Sequence, residues 1–355
     1  MVDELSKGHI RSGNFMTVAG PVPVEKLGVT LMHEHILNDC RCWWHAPKTP
    51  ERQYLAEGLV CQEILGELRQ DPFVNKHNIT LDDEPLAIKE LHEFAAQGGH
   101  TVVEPTCQGI GRNPLALRRI SEATGLNIVM GAGYYLASSH PEKVAALGID
   151  DIANEIVHEA LQGVDGTGVK IGLIGEIGVS SDFTPEEQKS LRGAARAQAR
   201  TGLPLMVHLP GWLRLGHRVL DVVEQEGADV SHTVLCHMNP SHDDLGYQGE
   251  LAGRGAFIEY DMIGMDFFYA DQQVQCPSDD EAAKAIVQLV ERGYLDRILL
   301  SHDVFLKMML TRYGGNGYAY ILKHFLPRLK RHGLDDLTLQ ILMRDNPRSV
   351  FQAKT

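Results

Sequence analysis

The sequence predicts an α/β chain that closes into a (β/α)8 barrel, and three observations carry that reading. Eight short apolar runs, at 29–36, 101–106, 127–132, 169–177, 204–209, 233–238, 255–262 and 297–302, have the length and composition of strands. From the second run onward, stretches with apolar residues at helical spacing separate them. Strand and helix alternating eight times build a parallel sheet, and 355 residues is an ordinary length for a barrel. One domain is therefore expected over 1–355.

The elements follow in order. Residues 1–28 precede the first strand, and Phe15-Met16-Thr17-Val18 followed by Gly20-Pro21-Val22-Pro23 reads as a β-hairpin. Residues 38–98 are too long for a plain strand-to-helix loop. They read as a helical insertion, with helices at 57–70 and 84–97, over or beside the barrel mouth. Barrel helices are expected at 115–123, 151–161, 185–200, 218–226, 245–252 and 280–292, several closed by Gly or Asn. Beyond the last strand, Gly314-Gly315-Asn316-Gly317 reads as a flexible polar loop, followed by helices at 318–331 and 336–344.

Composition narrows the function. Apolar content of 43% and charged content of 23% are those of a globular protein. No run approaches the roughly 20 apolar residues of a membrane span, so no membrane association is expected. A net charge of −14 argues against a nucleic-acid partner, which needs clustered Lys and Arg. A small-molecule substrate fits better. The N-terminus has neither a basic nor an apolar leader region, so a cytoplasmic location is expected. Six cysteines without a C-x-x-C pair read as reduced thiols.

Chemistry concentrates at the strand ends. In Val29-Thr30-Leu31-Met32-His33-Glu34-His35-Ile36, strand alternation projects His33 and His35 to one side and Glu34 to the other. Two later runs end in His208, ahead of Pro210-Gly211, and His237, ahead of Asn239-Pro240; the last ends in Asp303. The fourth run carries Lys170 and Glu176 on the same alternation phase. They stand about 20 Å apart at ~3.3 Å per residue, so the later one is expected at the site. In a barrel these ends open onto one face. His33, His35, Glu176, His208, His237 and Asp303 together make the nitrogen and oxygen ligand set of a two-metal hydrolytic centre. Cys40 and Cys42 also share a strand-like face, but the six residues already fill such a centre. His77, His92, His158, His324 and His332 fall in polar or helical stretches and read as surface residues.

Thr30-Leu31-Met32-His33-Glu34-His35, Gly131-Ala132-Gly133-Tyr134-Tyr135, Gly172-Leu173-Ile174-Gly175-Glu176-Ile177-Gly178, the two histidine strands and Leu300-Ser301-His302-Asp303 together resemble the phosphotriesterase family of the amidohydrolase superfamily. The likeness runs from about residue 15 to 351. It is nearest to the phosphotriesterase-related branch, some members of which are labelled resiniferatoxin-binding proteins. The resemblance implies a TIM barrel holding two divalent ions, zinc first, with manganese or cobalt as alternatives. It implies one ion on His33, His35 and Asp303, a second on His208 and His237, and Glu176 with a hydroxide between them. Founding members carry a carboxylated lysine where this chain has Glu176, which moves the expectation from triesters toward carboxylic esters, lactones and amides. Asp303 is expected to shuttle the proton as the catalytic residue, its other role being a plain ligand. The family also leaves open a homodimer.

Substrate contacts are less legible. Tyr135 resembles a tyrosine that family lactonases place beside the substrate, or it caps the barrel rim. Arg112, Arg214 and Lys307 stand at loop positions suited to an anionic substrate. Glu259 and Asp261 end the seventh run and either hydrogen-bond ligand histidines or accept a cationic group. Trp212, Phe267, Phe268 and Tyr269 either line an apolar pocket or pack their loops. Two alternatives stay open: a non-catalytic ligand-binding protein on the same scaffold, and a true phosphotriesterase.

Overall fold

The computed structural model describes residues 13–352, so residues 1–12 of the N-terminal extension lie outside the described residues. Asn14–Thr17 pairs antiparallel with Gly20–Pro23 as the expected hairpin. Eight barrel strands follow: β1 (Thr30–Leu31), β2 (Thr101–Glu104), β3 (Asn127–Met130), β4 (Ile174–Gly178), β5 (Leu205–His208), β6 (Thr233–Leu235), β7 (Phe257–Tyr260) and β8 (Ile298–Leu300). The six ladders between them are all parallel.

Two backbone seams join the three-stranded and five-stranded arcs into a closed (β/α)8 barrel. Between β3 and β4, Gly172 N donates to Met130 O at 3.0 Å and Gly175 N to Ala132 O at 2.6 Å. Between β8 and β1, Asp303 N donates to His33 O at 3.1 Å and His35 N to Val304 O at 3.0 Å. The first seam needs glycine. A Cβ on Gly131 would strike the Gly175 carbonyl, and Gly175 itself sits at φ +124°.

β4 is shorter than the run at 169–177, and its pairing with β5 slips between Ile174 and Ile177. Three residues of β4 therefore span two of β5, from Ile174 opposite Leu205 to Ile177 opposite Val207. Alternation does not carry unbroken from Lys170 to Glu176, as the sequence argument assumed. Glu176 is placed locally instead, its N–H donating to Pro105 O at 2.9 Å.

The helices are α1 (Glu84–Ala96), α2 (Pro114–Thr124), α3 (Ile149–Gln162), α4 (Pro185–Thr201), α5 (Gly216–Gln225), α6 (Leu245–Gly253) and α7 (Asp279–Glu291). Thr184 and Glu187 form a capping box at the start of α4. Within the insertion, Asn38–Asp39 pairs with Thr80–Leu81. The helix expected at 57–70 is interrupted: Tyr54–Glu57 and Leu65–Gln70 are separate turns, because Gly58 leaves the helical region with ψ 149°. The Asn75 amide holds that break by donating to Gly58 O at 2.8 Å. The 314–317 loop is also bonded in place, with Gly315 N on Leu310 O and Gly317 N on Met309 O. The last helical run continues past 344 to Phe351, where Asn346 donates to Leu295 O and Ile298 O.

Inside the barrel, Met32, Val103, Val129, Met206, Val234 and Leu299 pack as a buried core. Phe15 from the hairpin and Phe351 from the last helix, ring centroids 6.0 Å apart, belong to the same cluster. Chemistry is left to the opposite, C-terminal mouth. No helix among the described residues is long and apolar enough to cross a membrane, and all six cysteines are free thiols.

Candidate metal centre

The six strand-end residues converge at the barrel mouth in two triads. Donor atoms of His33, His35 and Asp303 lie within 4.8 Å of one another, as do those of Glu176, His208 and His237. Glu176 stands between them. Its Oε1 is 2.9 Å from His208 Nδ1 and 3.0 Å from His237 Nε2, while its Oε2 is 3.7 Å from His33 Nε2 and 4.0 Å from His35 Nε2. Asp303 Oδ1 lies 3.3 Å from His35 Nε2 and 3.6 Å from His33 Nε2.

These spacings suit a divalent ion. Tetrahedral ligands about 2.0–2.1 Å from zinc stand roughly 3.3 Å apart. His33 Nε2 is buried without a hydrogen-bond partner among the described residues, a cost that a cation would remove.

The far ring nitrogens are held from behind. His35 Nδ1 meets Thr106 Oγ1 at 2.7 Å, and Thr106 bonds Glu104 in turn. His33 Nδ1 lies 3.2 Å from Asp261 Oδ2 and 3.3 Å from Glu259 Oε2. The other Asp261 oxygen, Oδ1, lies 3.1 Å from His237 Nδ1. Asp261 thus serves one histidine of each triad, and β7 supplies hydrogen-bond support rather than a subsite for a cation. Glu34 does face away from the centre, as alternation requires. It accepts from Ser301 Oγ at 2.8 Å, His302 N at 3.0 Å and Val304 N at 2.9 Å, tying β1 to the chain that presents Asp303.

His237 and Asp303 both adopt left-handed backbone, at φ 58° and φ 51°. Such strain in non-glycine residues marks positions where the surroundings dictate geometry. Here the Asp261 carboxylate receives the His237 N–H, and the His33 carbonyl receives that of Asp303.

Burial works to raise the Glu176 carboxyl, but His33 and His208 hold it well below the usual carboxylate range. Burial likewise opposes charge on His237, and Asp261 and Glu176 outweigh it, raising that imidazole. Asp261 is pulled down, against burial, by His237 and His33. Glu259 is pushed up to about 7, chiefly by burial. Burial also drives the Cys40 and Cys236 thiols well up.

A cavity of about 430 Å³ opens above the triads, with His35, Glu176, His208, His237 and Asp303 on its floor. Tyr135 lies in it, its hydroxyl 3.4 Å from His208 Nδ1 and accepting from Trp43 Nε1 at 3.2 Å. Trp212 and Tyr269 line it, whereas Phe267 and Phe268 are not among its lining residues.

The three cations expected beside the substrate are elsewhere. Arg112 is buried and forks onto Glu159 at 2.8 and 2.7 Å, joining the β2 loop to α3. Lys307 is buried against the insertion, on Thr80 O and on Asp82 at 2.9 Å. Arg214 points outward to Asp244 at 3.1 Å and Asp243 at 3.4 Å. Each long side chain reaches a carboxylate or carbonyl remote in sequence, which loop position alone does not reveal. Thr106, although it ends the run at 101–106, and Trp43 were missed for the same reason, since their partners His35 and Tyr135 are remote in sequence.

A family model described as the phosphotriesterase family matches residues 13–351. The chain belongs to the phosphotriesterase family. The N-acetyltaurine hydrolase of Tetraodon nigroviridis is 36% identical over 346 residues, covering 97% of this chain and 99% of that protein. A resiniferatoxin-binding protein from Rhodobacter sphaeroides has a crystal structure that superposes with TM-score 0.97 at 73% identity, covering 98% of each chain. A lactonase from Listeria monocytogenes superposes with TM-score 0.79 at 26% identity, covering 96% of this chain and all of that one. This phosphotriesterase-family member is accordingly a hydrolase, and its buried His, Asp and Glu clusters are able to bind metal.

Proposed function

We propose that the protein is a binuclear metal-dependent hydrolase of small carboxylic esters, lactones or amides, with phosphotriester cleavage as side chemistry. The observation that carries this reading is Glu176, which turns one carboxylate oxygen toward each histidine pair. His33, His35 and Asp303 would hold one ion and His208 and His237 the other, with Glu176 shared. Two divalent cations held there would polarise the scissile oxygen and bring the pKa of a shared water near neutrality.

The chain's own residues do the rest. Asp303 is buried, and its carboxylate lies at the cavity floor where attack takes place. It takes the proton of the attacking water and passes it to the leaving group. Tyr135, on the His208 side, is kept protonated by burial and so donates to a substrate oxygen. Thr106, Asp261 and Glu259 fix the ring orientation of His35, His237 and His33.

Relatives named for an amide and a lactone substrate favour the carboxylic class over triesters. A complete ligand set favours catalysis over binding alone, despite the binding label of the Rhodobacter protein. Metal analysis and a hydrolysis screen across lactones, N-acyl amides and phosphotriesters, run beside Glu176→Gln, test the proposal. Near two equivalents of metal and turnover lost in the variant are expected. Full turnover in Glu176→Gln, or triesters cleaved far better than the rest, would overturn it.

A further inference from the structure

We infer that the group recognised beside the scissile bond is uncharged and carries a flat apolar ring. This rests on the hydrolase reading above and adds the substrate's chemical class to it. Two independent features of the cavity lead there.

The first is charge. Among the described residues, no lysine or arginine lines the cavity; its ionisable side chains besides the histidines, cysteines and tyrosines are Glu176, Glu187 and Asp303. Arg112, Lys307 and Arg214 are committed to Glu159, Asp82 and the Asp243–Asp244 pair. The start of α4, which would otherwise attract an anion, is already filled. Glu187 accepts from Ser180 N, Ser180 Oγ and Thr184 N, and from Ala137 N on the facing loop. A sulfonate or carboxylate tail directed away from the metal ligands on the floor would shed water without meeting a side-chain cation, and the Glu187 carboxylate that fills the start of α4 would repel it.

The second is the wall. Trp43 stacks on Phe73 with ring centroids 5.4 Å apart and 19° between planes, and Phe73 stacks on Tyr269 at 5.2 Å and 12°. Trp212 meets Tyr269 edge-on at 5.7 Å. This continuous aromatic surface is assembled from the insertion and from the loops after β5 and β7. It begins one ring from the floor, because Trp43 Nε1 donates to the Tyr135 hydroxyl that lies beside His208. A ring attached one or two bonds from the reacting carbonyl would lie on it by offset or edge-on stacking.

The test is a matched set of N-acetyl amides and acetate esters whose second group is benzyl, n-butyl or 2-sulfonatoethyl, given to the metal-loaded enzyme. The benzyl members should exceed the sulfonates at least tenfold in kcat/KM, and the butyl members severalfold. Trp43→Ala and, separately, Trp212→Leu should shrink the benzyl-to-butyl ratio. Quenching of tryptophan fluorescence by the same amides reads wall occupancy without turnover, since two of the three tryptophans stand in the wall. Sulfonates preferred in either measurement, or benzyl and butyl treated alike, would overturn the inference. No turnover of any member together with tight benzyl quenching would instead overturn the hydrolase reading and leave the recognition standing.

Discussion

Replacing Asp261 by Asn should weaken both metal half-sites at once. In the native centre its two oxygens serve His33 Nδ1 at 3.2 Å, His237 Nδ1 at 3.1 Å and the His237 N–H at 3.0 Å. An asparagine keeps one acceptor oxygen and turns an NH2 toward the other ring, so one histidine then faces donor against donor. It also removes the negative charge that raises His237. A charge-assisted hydrogen bond is worth about 1.5–3 kcal/mol, and loss of such a support typically costs about 10–100-fold in metal affinity. That loss is expected in full at the step whose histidine faces the amide and, from the missing charge, to a smaller extent at the other, resolved by zinc titration against a chromophoric chelator. Thr106→Val is the control, because among the ligand histidines Thr106 touches His35 alone and its loss should weaken one step only. Weakening confined to a single step in Asp261→Asn, or two unchanged steps, would refute the claim that one carboxylate couples the half-sites.

Asp303→Asn should lower kcat by about 10²–10⁴-fold, the usual contribution of a positioned proton-transfer group. Near-wild-type turnover with intact metal content, measured by mass spectrometry on the same sample, would reduce Asp303 to a plain ligand. Arg112→Met should cost about 3–5 kcal/mol in denaturant unfolding, because Glu159 is left buried without its partner. KM of the folded fraction should not move, and a raised KM would return Arg112 to the substrate site. Cys42 lines the cavity, but burial pushes its thiol up to about 11, so only about one in a thousand is thiolate at pH 8. Maleimide should therefore label exposed Cys61 well before Cys42, read by peptide mass mapping; prompt modification of Cys42 would contradict its protected setting.

Much of the site was legible because its signals are local. An imidazole or carboxylate at the end of an apolar run needs only a strand and a barrel to bring it to the mouth, and all six expected ligands arrive there. Glu176 arrived for a reason other than the one argued, since a slip in β4 pairing replaces strict alternation. Glu259 and Asp261 were legible as strand-end carboxylates, but not that Asp261 faces two histidines.

By itself the sequence determined the strand count, the order of the elements and the chemical types meeting at the mouth, because period-two alternation and donor identity are properties of a few consecutive residues. Only the tertiary structure decided which residues face the substrate. Arg112 finds Glu159 47 residues away, and Trp43 meets Tyr135 across 92. A long or aromatic side chain takes its partner from whatever the closed barrel brings within reach, and that choice left the cavity with rings in its wall rather than cations.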